Sequence, residues 1–169
     1  MGDTAVFPSY VDLNPNLDVM NMYQQQDEHL SNKIKEKTKA IAKNSQNIRS
    51  LTSFMNKLRD EYGIGMNTNG KKINEIDFSK SPEIKELLDR LSEMGLIDAK
   101  YQTKYTFHSA VEIEMFMAHL EGKIEEIKND NEPNLLLIQP LLDLMKQLAD
   151  IVRKINESDE KLKEMTHRL

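Results

Sequence analysis

The chain has 169 residues, enough for one domain or a domain with a tail. A formal charge of -5 argues against general nucleic-acid affinity, and the absence of cysteine excludes disulfides and thiolate metal sites. Charged residues are plentiful, aromatics sparse and tryptophan absent, which suits long exposed helices better than a thick globular core.

Residues 1 to about 20 carry Pro8, Pro15 and scattered Asp and Asn with no helical or strand period. They read as a flexible N-terminal arm. The start lacks a basic region followed by an apolar stretch, so no Sec-type signal peptide is expected. No apolar run is long enough to span a bilayer, so no stable membrane insertion is expected.

Residues 21–169 read as a single helical domain. From about Met22 to Tyr62, Ile34, Ile41, Ile48, Met55 and Tyr62 sit seven apart, with Leu30, Lys37, Asn44, Leu51 and Leu58 as the companion line. Interleaved four-three spacing is the pattern of a helix whose apolar seam faces another helix. Lys37 and Asn44 interrupt the seam, and such polar positions weaken a coiled coil while fixing its register. The segment Gly63-Ile64-Gly65 stops the helix, because glycine readily takes the left-handed cap conformation.

An inserted section, 63–108, follows. Ser81-Pro82-Glu83 opens a helix over 82–94 with a capping hydroxyl, a first-turn proline and an acid at the positive helix end. Gly95 ends it. Tyr101, Thr103, Tyr105 and Phe107 alternate as in a strand, giving a short β-hairpin with Ile73 and Ile76. Ser109 and Glu112 then form the S-x-x-E capping box of a long C-terminal helix over 109–166.

That helix carries the strongest pattern in the chain. Ile113, Leu120 and Ile127 form one line that resumes at Leu141, Leu148 and Ile155; Met117, Ile124, Ile138, Met145 and Val152 form the other. Pro133 and Pro140 lie inside it. An interior proline costs about 3 kcal/mol, so a kink or break is expected near 129–140, with the continuous seam phase favouring passage.

The fold class is therefore all-α: an elongated, antiparallel, coiled-coil-like helical hairpin with a small inserted section. Its intramolecular seam comprises Ile34, Ile41, Ile48, Met55, Ile113, Leu120, Ile124, Ile127 and Ile138. Lysines 33, 35, 37, 39 and 43 are expected to attract Glu121, Glu125, Glu126, Asp130 and Glu132 across the pair. Run outward, the register leaves Leu141, Leu142, Leu144, Met145, Leu148, Ile151, Val152 and Ile155 with little to cover them. These are the candidate interaction surface, for another copy or a partner helix. The competing expectation is that Leu13, Leu17, Met20 and Tyr23 fold back over them.

No catalytic constellation emerges. His29, His108, His119 and His167 have no metal-ligand spacing, the carboxylates lie in helix-face patterns, and the glycines form no phosphate loop. No enzyme activity, cofactor or metal is expected, and the function is read as protein–protein interaction.

The run from Leu120 to Asp130, continuing through Leu137-Ile138-Gln139 and Leu141-Leu142-Asp143-Leu144-Met145, resembles the terminal helix of EspA-like proteins. These are secreted filament and needle-tip subunits of bacterial type III secretion systems. The resemblance implies a terminal helix paired with an N-terminal helix, and export to the medium or bacterial surface without a cleaved signal. It also implies self-assembly and helical partners: a secretion chaperone, needle or translocator. The alternative from the residues alone is a cytoplasmic helical adaptor or chaperone that binds client helices.

Overall fold

The computed structural model describes residues 15–64 and 75–168. It is an all-α protein whose strands are only two residues each. Helix α1 spans Pro15–Tyr62, α2 Pro82–Glu93, α3 Ala99–Gln102 and α4 Ala110–His167; strands β1 and β2 are Ile76–Asp77 and Thr106–Phe107. The chain divides into two compact units: residues 1–37 with 136–169, and residues 38–135.

Helix α1 begins within the expected arm. Proline suits a first helical turn, where its missing N–H costs nothing, and Asp18 adds a favourable charge there. The heptad lines continue backward through Tyr23 and Met20; Asp27 interrupts them and hides the continuation from a reading by periodicity. The rest of the expected arm, 1–14, lies outside the described residues. At the other end Gly63, at φ 65°, donates its N–H to the Arg59 carbonyl at 2.8 Å. That positive φ is the left-handed cap glycine adopts at little cost.

The unit formed by residues 38–135 holds the globular core. Phe78 has no exposed surface and sits among four rings: Phe107 at 5.1 Å, Tyr62 at 5.8 Å, Phe116 at 6.0 Å and Phe54 at 6.4 Å between centroids. Aromatics are sparse, yet four of the five phenylalanines are buried in this one cluster. The expectation of a thin core fails here because placement, and not number, decides burial. Leu51, Leu58, Ile84, Leu88, Ile113 and Leu120 pack round the rings with no measurable exposure.

The inserted section builds one wall of this core. Ile76 pairs with Phe107 and Asp77 with Thr106 in an antiparallel ladder, which the Phe78 N–H extends to the Tyr105 carbonyl at 2.7 Å. Ile73, the other expected partner, lies outside the described residues. Tyr101 departs from the strand expectation: it lies in α3, buried, with its ring 5.1 Å from that of Phe116. Burial of a large ring outweighs the weak strand alternation.

The helix starts use partly different atoms from those expected. The Ser81 hydroxyl makes no capping bond to α2; Pro82 supplies the preorganised first turn, and the Ser81 carbonyl takes the Lys85 N–H at 3.0 Å. Ser109 does cap α4, its hydroxyl accepting the Glu112 N–H at 3.2 Å. Glu112 reaches back one residue further than a standard box, to the His108 N–H at 2.8 Å. That bond, with Lys104 nearby, holds its carboxyl below the usual range.

Helix α4 passes through both prolines without interruption. Pro133 and Pro140 are both exposed, so the carbonyls they deprive of a partner can turn to water. No helix among the described residues is long and apolar enough to cross a membrane.

Candidate interaction surface

In the unit of residues 38–135 the α1–α4 seam is closed. Met55, Ile113, Leu120 and Ile127 are buried, Ile48 and Ile124 pack half-buried against the core, and Ile41 is half-buried. Asn44 Nδ2 donates to Asn131 Oδ1 at 3.1 Å, and Asn131 is buried. Arg59 meets Glu121 at 3.5 Å. Since Arg59 follows Asn44 while Glu121 precedes Asn131, the helices run antiparallel. Of the lysines expected to attract Glu121, Glu125, Glu126, Asp130 and Glu132, the two in this unit, Lys39 and Lys43, form no ion pair with those acids within 4 Å among the described residues. Long exposed lysines gain little by surrendering hydration for such pairs.

The unit of residues 1–37 and 136–169 is different. Among the described residues of this unit α1 and α4 lie together with no third helix, and Leu30 alone is a buried hydrophobic. The candidate surface separates into two sets. Leu141, Met145, Leu148, Val152 and Ile155 are half-buried, as are Ile34 and Ile138 of the seam. Leu142, Leu144 and Ile151 are exposed, at 44, 46 and 37%.

The fold-back expectation holds in part. Met20 and Tyr23 are half-buried in this unit, whereas Leu17 is exposed; Leu13 lies outside the described residues. A pair of helices can cover only the facing stripe of each. The half-burial of the seam is the expected outcome when two further neighbours are missing.

Leu144 and Ile151 are ordered, while Leu142 points to the other side of α4. Leu137, 47% exposed, stands seven before Leu144, which stands seven before Ile151. They form an unbroken apolar line beside the seam, bounded one heptad further out by Asp130 and Ser158. Leu137 was missing from the candidate set, although its seven-residue spacing was available to find it.

The opposite side of the same pair is a groove of about 600 Å3. Tyr23, Leu148, Ala149 and Val152 supply its apolar lining; Asp27, Glu28, Glu157 and Glu160 outnumber the one base, Arg153. The pair thus has an exposed apolar line of α4 on one side and an acid-rimmed groove on the other.

A scan of protein families, curated proteins and solved structures finds no match. The functional reading therefore rests on these surfaces.

The histidines remain dispersed. His119 is the buried one, its side chain 10% exposed, its ring 4.8 Å from that of Tyr101. Nε2 accepts the Asp98 N–H at 3.3 Å, and Nδ1 lies 3.4 Å from Asp98 Oδ2. Lys123 binds the other oxygen of Asp98 at 3.1 Å, which holds that carboxyl below its usual range. Burial pushes the His119 pKa down against the pull of Asp98. This cluster ties α3 to α4. Among the described residues, no three His, Asp or Glu side chains are grouped to hold a metal ion.

Proposed function

We propose that this chain is a structural assembly subunit acting through helix–helix contacts. In its finer form the reading is a secreted component of a bacterial type III secretion filament or needle tip. The observation that carries the assembly role is the unfinished helix pair of residues 1–37 and 136–169. Its seam is half-covered and an apolar line lies exposed beside it. Burying a large aliphatic side chain contributes about 1.5–3 kcal/mol, so such a line favours association. The secretion role is supported by the resemblance of the α4 sequence to EspA-like subunits.

Expression in a secreting bacterium tests the finer reading. The chain should accumulate in the medium only when the type III apparatus is intact and residues 1–20 are present. Retention in the cytosol in stable complex with an exported client would favour the second reading, a helical adaptor or chaperone. The acid-rimmed groove at Tyr23 and Val152 supports that alternative, since a client helix with an apolar stripe and basic flanks would complement it.

A further inference from the structure

We infer that the unit of residues 1–37 and 136–169 is half of a four-helix bundle, completed by a second copy of the chain. In this bundle the two α4 helices lie antiparallel. The inference rests on the assembly reading and names the partner.

The first argument is angular. At 100° per residue, the line Leu137–Leu144–Ile151 lies about 80° round α4 from the centre of the stripe that faces α1. A helix with apolar neighbours about a right angle apart occupies the corner of a square four-helix arrangement. On α1, Met22, 65% exposed, falls on the corresponding side, with Gln26 and His29 as its neighbours along the helix. The exposed apolar line of α4 thus has Met22 of α1 beside it, while the acid-rimmed groove occupies the other side of the pair. Stacking two copies groove to groove would set acid against acid; apolar line to apolar line leaves both grooves outward.

The second argument is charge. A two-fold axis midway between Leu144 and Ile151 sets each Leu144 against the partner's Ile151. It also brings Asp143, on the flank of that line, beside the partner's Lys154, and symmetry supplies the pair twice. Parallel alignment in register would instead face Asp143 with Asp143 and Lys154 with Lys154. The antiparallel direction is the one in which the surface complements itself.

The half-buried Leu141, Leu148 and Ile155 would then turn their remaining surface into the bundle centre.

The absence of cysteine permits a direct test on the full chain. Leu144→Cys and Ile151→Cys are made as separate proteins, mixed and mildly oxidised. The expected product is the mixed disulfide dimer, with little cross-linking of either variant alone. Asp143→Lys is expected to weaken dimerisation roughly fivefold, and the added Lys154→Asp to restore it. Homodisulfides from each variant alone would overturn the antiparallel arrangement. A wild-type chain that sediments as a monomer at every concentration, with α-helical circular dichroism intact, would overturn the second copy as occupant. Neither failure touches the assembly reading, whose own test is export to the medium through an intact secretion apparatus.

Discussion

Asn44 and Asn131 meet by a 3.1 Å hydrogen bond across the α1–α4 seam, the buried side-chain amide of one long helix satisfied by the other. Each interrupts an apolar heptad line. Shifting either helix by one heptad would set an amide against a leucine or isoleucine, leaving it unpaired in an apolar layer. The pair therefore defines one register among several that apolar contacts alone would tolerate.

Replacing Asn131 with Ala should destabilise the protein by about 1–3 kcal/mol, because Asn44 loses its partner. The double replacement Asn44→Leu with Asn131→Leu should recover that loss. Urea unfolding of the singles and the double measures the coupling; strictly additive effects would refute the pairing.

Phe78 is the ring that the other aromatics surround. Phe78→Ala should cost about 3–5 kcal/mol, and Phe78→Leu distinctly less, as the leucine leaves a smaller void. The urea midpoint orders the two variants, and tyrosine near-ultraviolet circular dichroism reports on Tyr62 and Tyr101 at the cluster.

Lowering the pH should destabilise the fold in two stages. His119 is pushed below its ordinary 6.5 by burial, with Asp98 and Glu126 opposing and Lys123 and Lys100 assisting. The unfolded chain then takes the proton first. The His119 contribution is complete above about pH 6.5 and is lost as pH falls through the lowered folded pKa. Protonation of Nε2 also removes the acceptor for the Asp98 N–H. A second decline follows at lower pH, where Glu112, Asp98 and Asp77 lose hydrogen bonds that hold their carboxyls below 4.5 and 3.8. His119→Gln should flatten the first stage and leave the second, measured by denaturation midpoints across the pH range.

Pro133 lies exposed within a continuous helix and lacks the N–H that would bond the Asn129 carbonyl. Pro133→Ala should raise stability by about 1–3 kcal/mol. A fall in the thermal midpoint would mean that the ring fits a local bend the alanine cannot reproduce.

Local grammar was legible before any coordinates. Gly63 and Gly95 terminate helices, both at positive φ. Ser109 caps α4, and the heptads of Ile113, Leu120 and Met55 point inward. These features depend on residues a few positions apart, so the sequence displays them directly. Asp27 obscured the helical phase before Met22, and Tyr101 alternated like a strand because a four-residue helix is too short to show a period.

What the sequence determined by itself was a pair of long helices with matching seams, because side-chain periodicity dictates which stripe must leave water. Tertiary structure decided how that stripe was used. It gathered Phe54, Phe78, Phe107 and Phe116 into one core, and divided the α4 leucines into a half-covered seam and an exposed line. Both outcomes turn on neighbours distant in the chain, and a helix records which face is apolar without recording how many helices will cover it.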